Sequence, residues 1–181
     1  NTVQGFGGGL SFLDGATGTI EDCQIVNNSS TISYVYGGGI HCESSTPLLR
    51  NLLLVGNSAA ATGSDGGAIN IQFAPAPTIE NCTLVGNACS TGAGGGIAGG
   101  ILVQWGAAPT VTNCIIADSP AGAGIGCLFA DGTTVTGCDL WNNAGGDEVC
   151  GIDGGCNFSA DPLFCDAPGG TYHVAANSPC A

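Results

Sequence analysis

Alternation of apolar and polar residues is the main pattern along this chain. The run Ile79–Asn87 alternates and then ends on Gly-Asn, which predicts a β-strand that enters a tight turn. Four other runs repeat the pattern, over residues 19–28, 48–57, 110–118 and 134–143. Aligned on a shared position, successive copies lie 29, 30, 32 and 24 residues apart. The aligned residues are Cys23, Leu52, Cys82, Cys114 and Cys138.

A second, glycine-rich element precedes each copy and leads into a short apolar run. Its five versions begin at Gly8, Gly38, Gly67, Gly99 and Gly124. No segment shows the period of a long helix, so the short apolar runs are predicted to be strands. Because a unit of this length cannot enclose a core alone, its copies must stack on one another. The pattern therefore predicts an all-β fold, a parallel β-solenoid.

The repeat divides the chain into coils and a terminal segment. Residues 1–150 are predicted to form about five coils, over 7–35, 36–65, 66–94, 95–124 and 125–150. Residues 151–181 depart from the repeat, which is typical of a C-terminal cap on the last coil of the same domain. The cysteines in and beside this cap predict two disulfides that staple it, Cys150–Cys156 and Cys165–Cys180.

Alignment of the coils places apolar residues in inward-facing columns, one of which contains Ile20, Leu49, Ile79, Val111 and Val135. Burial of each large aliphatic side chain stabilises a fold by roughly 1.5–3 kcal/mol, so such columns can supply the core. Polar columns occupy the corners, where stacked asparagines hydrogen-bond to one another and tolerate left-handed turns. The two columns are Asp22, Asn51, Asn81, Asn113 and Asn28, Asn57, Asn87, Asn143.

The composition indicates a secreted protein with a strong negative field. The 181 residues include 14 acidic side chains and one basic side chain, for a net charge of −13. Such a field repels phosphate backbones and anionic membranes, so we expect no nucleic-acid partner and no membrane insertion. The 11 cysteines lack metal-finger spacing and favour an oxidising compartment, which predicts an extracellular or cell-surface location. Without a signal peptide at residue 1, a mature product or an excised segment is expected.

The glycine-rich strand Gly37–Ile40 and the run Ile79–Asn87 resemble the right-handed parallel β-helix repeats of the pectate-lyase-like superfamily. The tail, residues 161–164 and 172–180, is similar to the end of bacterial surface β-helices, where a sorting or anchoring segment often follows. The resemblance implies a right-handed parallel β-helix. It also implies that a polysaccharide lyase of this superfamily would need an Arg or Lys base and acidic calcium ligands.

The one basic residue, Arg50, aligns between Glu21 and Glu80 on neighbouring coils. We interpret these three residues as a surface charge ladder, which argues against lyase chemistry. Glu21 and Glu80 would stand roughly 9.6 Å apart, near the separation of an inverting glycosidase pair. However, the positive charge between them favours two ionised carboxylates, whereas a general acid must hold a proton.

Several other groups are candidates for binding. Trp105 aligns with Phe129, and with Trp141 these rings could form a platform for glycans. Calcium ligands could come from the acidic residues near the cap, although no calcium-loop spacing is present. They are Asp147, Glu148 and Asp153. His41 and His173 are interpreted as ordinary surface residues because neither has a partner in the sequence.

These patterns favour an extracellular structural or adhesive β-helix without catalysis, which could assemble end to end into filaments. Its expected partner is a second copy or a cell-surface glycan, and no cofactor is expected unless calcium binds. One alternative is a carbohydrate-binding or polysaccharide-degrading β-helix with an acidic groove. Another is an ice-binding solenoid, because threonines repeat over residues 110–112 and 134–136.

Overall fold

The computed structural model describes residues 2–3, 6–31, 36–60, 66–73, 76–90 and 97–181. It confirms the all-β fold, since these residues form 21 strands and no helix. The chain winds as a right-handed parallel β-helix in which each turn adds one strand to each of three sheets. No helix that could cross a membrane occurs within the described ranges.

Sheet 1 carries the glycine-rich strands and has five members. They are β2 (Leu10–Phe12), β6 (Ile40–Glu43), β10 (Ile69–Gln72), β13 (Ala98–Gln104) and β16 (Ala123–Leu128). A short parallel sheet precedes it in each early turn and contains β1 (Thr2–Val3), β5 (Ser29–Ser30) and β9 (Ser58–Ala59). Together these two sheets form the glycine-rich side of the solenoid.

Sheets 2 and 3 carry the alternating repeat. Sheet 2 contains β3 (Thr17–Glu21), β7 (Thr46–Arg50), β11 (Thr78–Glu80), β14 (Thr110–Thr112), β17 (Thr134–Thr136) and β19 (Ile152–Asp153). Sheet 3 contains β4 (Gln24–Val26), β8 (Leu53–Val55), β12 (Thr83–Val85), β15 (Ile115–Ala117) and β18 (Asp139–Trp141). Only three turns, the second to the fourth, have a neighbour on both sides in all three sheets, so the coil count differs slightly from the prediction.

The observed register confirms the apolar columns. Leu49 lies between Ile20 and Ile79 in sheet 2, and Val111 lies between Ile79 and Val135. Leu49, Ile79, Val111 and Val135 are each 0 % exposed. The first turn is more open, because Leu10 and Ile20 are only partly buried against the core. Alternation thus places these apolar columns inside the solenoid.

The two polar corners differ in how their asparagines act. Asp22, Asn51, Asn81 and Asn113 all adopt the left-handed conformation, with φ between 51° and 55°. Asn28, Asn57 and Asn87 instead point inward and form a buried ladder, with Nδ2–Oδ1 distances of 3.0 Å between neighbours. The left-handed residue at this second corner comes one position earlier, at Asn27, Gly56 and Gly86, which corrects the prediction. The asparagine side chain forms the inward hydrogen bond, and the residue before it adopts the left-handed conformation that the turn requires.

The C-terminal segment continues the solenoid and then turns back along it. Ile152 and Asp153 of β19 pair with Thr134 and Val135, which covers the end of sheet 2. Two antiparallel strands follow, β20 (Phe164–Asp166) and β21 (Thr171–Val174). We call residues 160–181 the C-terminal arm. The segment therefore covers the last turn only in part, and the arm lies against the side of the solenoid.

Both predicted disulfides are wrong. Cys150 pairs with Cys127 of β16, with a Cα–Cα distance of 5.7 Å, and not with Cys156. Cys156, Cys165 and Cys180 are free thiols. Cys127 and Cys150 meet because the chain completes one turn between them, and sequence proximity within the cap did not reveal this relationship.

Candidate functional site

The charge ladder lies on the outer face of sheet 2, at the end of three neighbouring strands. Arg50 is in register between Glu21 and Glu80. Its guanidinium is hydrogen-bonded to the carboxylate of Glu21, and Nη1 lies 3.8 Å from Oε1 of Glu80. The hydrogen bond with Glu21 raises the pKa of Arg50. Arg50 is the only Lys or Arg residue of the chain. The one permanently charged basic side chain is therefore paired with these two carboxylates.

Directly after this ladder, the polar corner formed by Asp22, Asn51, Asn81 and Asn113 lies exposed. Asn51 donates from Nδ2 to Oδ1 of Asp22 over 3.0 Å. The backbone N–H groups of Asn51, Asn81 and Asn113 donate to carbonyls of the following turn. In the second to fourth turns the corner therefore presents one side-chain amide per turn, from a backbone that is hydrogen-bonded to the following turn.

The C-terminal arm forms the wall of a groove whose floor is this polar corner. One cavity of about 590 Å³ separates Asp22, Asn51 and Asn81 from Tyr172 and His173 on β21. A second cavity of about 350 Å³ continues toward Asn113 and Gly137, and Cys180 and Asp139 line its far end. Asn81 and Thr83 line both cavities, so they form one continuous groove along the solenoid. We call it the corner groove.

Asp139 anchors the arm at the far end of the corner groove. Its side chain is buried, Oδ1 accepts from the backbone N–H of Ala160 at 3.0 Å, and Oδ2 accepts from the Cys180 thiol at 3.1 Å. Burial raises the pKa of Asp139. Burial and the Asp139 carboxylate together raise the pKa of Cys180 to about 12. The anchoring role of Asp139 was not predicted from the sequence. Its signal was a carboxylate at the register position that Ile115 holds one turn earlier.

A second exposed surface lies at the corner that directly follows the strands of sheet 1. Trp105 and Phe129 stack there, with ring centroids 5.2 Å apart and planes inclined by 27°. Phe73 holds the same register position one turn before Trp105. All three residues adopt the left-handed conformation and are exposed, by 45 % for Phe73 and Trp105 and by 70 % for Phe129. We call these three residues the aromatic corner.

Trp141, the third ring of the predicted platform, lies elsewhere. It ends β18 in sheet 3 and is half-buried, in register with Ala117. Sheets 1 and 3 are different sides of the solenoid, so Trp141 does not extend the aromatic corner. The paired threonines Thr110–Thr134 and Thr112–Thr136 lie side by side in sheet 2.

The predicted calcium ligands do not form a common cluster in the described part of the chain, where no group of three His, Cys, Asp or Glu side chains has metal-binding geometry. Asp147 Oδ1 accepts from Asn143, whose Nδ2 is 2.7 Å away. Asp153 Oδ1 accepts from Gly155 N at 2.8 Å and from Asn157 Nδ2 at 2.6 Å. These carboxylates stabilise local turns, and Glu148 is exposed.

His41 is fully buried, so its interpretation as an ordinary surface residue is wrong. Its ring stacks on Phe6 and Tyr36, with centroid distances of 5.4 and 5.7 Å. Nε2 lies 3.4 Å from Oε2 of Glu43, and burial lowers the pKa of His41 despite that carboxylate. The outward side of sheet 1 is thus covered at this position. His173 is exposed.

The inward cysteine column contains free thiols, as expected for small buried hydrophobes. Cys82, Cys114 and Cys138 are each at most 1 % exposed. Each donates to the carbonyl two residues earlier, over 3.3 to 3.4 Å. Hydrogen bonding to Cys138 and Cys82 raises the pKa of Cys114 well above its ordinary value. This column serves the core and has no reactive thiolate at its centre.

The fold and register agree with a comparison against known protein families. A family model described as "Right handed beta helix region" matches residues 62–160, more than half of the chain. The chain belongs to this right-handed β-helix family. Comparison with curated proteins and with solved structures finds no match. Because this β-helix architecture hosts many activities, function must be argued from the surfaces described above.

Proposed function

We propose that this right-handed β-helix is an extracellular adhesive protein without catalysis, and that its aromatic corner binds cell-surface glycans. The stacked, exposed rings of Trp105 and Phe129 are the observation that supports this proposal. Exposed large rings on neighbouring turns cost stability in water unless a partner covers them. The C–H face of a sugar ring is a partner of matching shape and polarity, and Trp is among the residues that dominate binding energy at interfaces.

The charge ladder supports a role without catalysis. A lyase base must be free to take a proton, but Arg50 is engaged by carboxylates on both sides. A glycosidase needs one carboxylate to hold its proton beside an ionised one. Glu21 and Glu80, which stand where such a pair would be sought, are both paired with the Arg50 guanidinium. The corner rings, in contrast, bind without any proton transfer.

The test is a glycan array with the purified chain, followed by affinity measurement on the strongest ligand. Trp105→Ala and Phe129→Ala are each expected to weaken binding by about tenfold or more. Trp141→Ala is the matched control, because its ring lies on another side of the solenoid. Thermal unfolding of each variant checks that the fold is intact. Equal loss of binding in Trp141→Ala, or no binding to any glycan, would contradict the proposal.

End-to-end self-association is a second candidate, favoured by the open first turn. A depression of about 350 Å³ exposes part of the core there and is lined by Leu10, Ile20 and Ile25 among others. Among the described residues, no strand pairs with β2, β3 or β4 on the side away from the second turn. A second copy would cover these strand edges and continue the solenoid. Light scattering at increasing concentration and electron microscopy test this candidate, which fails if the chain remains monomeric.

A further inference from the structure

The corner groove is a continuous depression that crosses the turns of the solenoid. It extends from Asp22 in the first turn to Gly137 in the fifth, beneath the C-terminal arm. Neighbouring strands are about 4.8 Å apart, so the four intervals between these turns make it about 19 Å long. A groove of this length and direction fits an extended chain molecule lying parallel to the solenoid axis.

The lining of the groove is polar and repeats with the turns. The floor presents the side chains of Asn51, Asn81 and Asn113, each held in the same left-handed conformation. Their backbone N–H groups are already bonded to the next turn, so the floor offers their side chains, of which Asn51 Nδ2 also donates to Asp22 Oδ1. Thr83 adds a hydroxyl group to both halves of the groove. Amides and hydroxyls pair best with a ligand that carries many hydroxyl groups.

The wall supplies an aromatic ring, and the groove has no permanent positive charge that would hold an anionic ligand. Tyr172 on β21 faces the floor residues Asp22 and Asn51 across the larger half of the groove. An aromatic ring beside hydrogen-bonding groups suits a sugar, because the ring can pack against the C–H face and the polar groups can bond to the hydroxyls. No Lys or Arg lines the groove, and the net charge of −13 disfavours anionic polymers.

We propose that the corner groove binds a linear, uncharged oligosaccharide along the solenoid axis. The second, third and fourth turns each offer one amide, at a spacing close to the length of one sugar unit, so three successive sugars meet equivalent side chains. Such regular spacing suits a polymer with a simple repeat. This site is separate from the aromatic corner, which lies at the end of sheet 1, and each proposal can therefore fail alone.

The test is calorimetric titration of the chain with neutral linear oligosaccharides: cellohexaose, xylohexaose and mannohexaose. Oligogalacturonate of similar length serves as the charged comparison. Binding of at least one neutral ligand is expected, with weaker or no binding of oligogalacturonate. Asn81→Gly removes the amide shared by both halves of the groove and keeps the left-handed backbone. It should weaken binding roughly five- to tenfold, as should Tyr172→Ala.

Asn142→Gly is the matched control, because Asn142 is exposed and left-handed (φ 53°) but lies at a different corner. It should leave the affinity unchanged. Trp105→Ala separates the two proposals: binding that Trp105→Ala abolishes and Asn81→Gly leaves intact belongs to the aromatic corner and overturns this inference. The inference is overturned if no neutral oligosaccharide binds, if oligogalacturonate binds as tightly, or if Asn142→Gly weakens binding as much as Asn81→Gly. Capture of an extended peptide in place of every oligosaccharide would also overturn it.

Discussion

The thiol of Cys180 donates a hydrogen bond to Oδ2 of Asp139 over 3.1 Å, which joins the C-terminal arm to the fifth turn of the solenoid. The other carboxylate oxygen accepts from the backbone N–H of Ala160, where the C-terminal arm begins. Asp139 is only 1 % exposed. One buried carboxylate therefore holds both ends of the arm and, with it, the wall of the corner groove.

Replacement of Asp139 by Asn should make Cys180 more reactive. The Cys180 pKa of about 12 arises first from burial and then from the hydrogen bond and charge of Asp139. Without that charge the thiol ionises more readily. Alkylation by iodoacetamide at pH 8.5 should accelerate about threefold for each unit by which the pKa falls, because the larger thiolate fraction is partly offset by lower nucleophilicity. Mass spectrometry of labelled peptides measures the rate. Exposed Cys165 is the internal control, and an unchanged Cys180 rate would contradict the account.

Asp139 should also make stability depend on pH in a defined direction. Burial raises the pKa of Asp139 from the ordinary value of 3.8, so its carboxyl group binds a proton more tightly in the folded protein than in the unfolded chain. Its contribution is fully present below pH 3.8 and is lost as pH rises through the raised pKa. Urea unfolding of wild type and Asp139→Asn between pH 3.5 and 7 measures the difference. The advantage of wild type should shrink as pH rises, and a difference that grows would refute the assignment.

Asn57 in the buried ladder should matter far more than Asn51 at the exposed corner. Asn57 Nδ2 donates to Ile25 O at 2.7 Å and to Asn87 Oδ1 at 3.0 Å, and its Oδ1 accepts from Asn28 N at 3.1 Å. Asn57→Ala leaves these buried groups unpaired and should lower the free energy of unfolding by about 2–5 kcal/mol. Asn51→Gly keeps the left-handed turn and should cost below about 1 kcal/mol. Chemical denaturation compares them, and equal losses would show that burial does not decide the effect.

The disulfide between Cys127 and Cys150 should stabilise the last turn. It closes a loop with a sequence separation of 23 residues, which restricts the unfolded chain. Cys127→Ala should therefore cost about 3 kcal/mol in the free energy of unfolding, and dithiothreitol should produce a similar loss in wild type. Cys165→Ala, at an exposed free thiol, is the matched control and should change little. Wild type that is insensitive to reduction would contradict the expected role of the bridge.

Much of the repetitive part of this structure could be predicted because one spacing governs it. Alignment at that spacing placed Leu49 between Ile20 and Ile79, and Arg50 between Glu21 and Glu80, as the strand register shows. It also aligned Trp105 with Phe129, whose rings stack. In a solenoid each residue meets its equivalent in the next turn, so sequence separation translates directly into contact.

Contacts that do not follow the aligned repeat could not be predicted in this way. Cys150 meets Cys127 and not Cys156, and His41 is covered although its strand position faces outward. The corner groove combines turn residues with Tyr172, which has no counterpart in the repeat. Tyr172 belongs to a segment outside the repeat, and no period aligns that segment with the turns it contacts. Cys150 lies where the repeat ends, so no further copy was present to align it with Cys127.

The amino-acid sequence by itself therefore determined the solenoid, its apolar columns and its charge and aromatic ladders, since alternation and spacing act locally between adjacent turns. The tertiary structure decided the disulfide, the buried environment of Asp139 and the corner groove. The disulfide joins two successive turns where the repeat ends, and the other two features arise when the C-terminal arm packs against the solenoid. The physical reason is that strand pairing repeats at each turn, whereas the position of the arm depends on one particular set of long-range contacts anchored at Asp139.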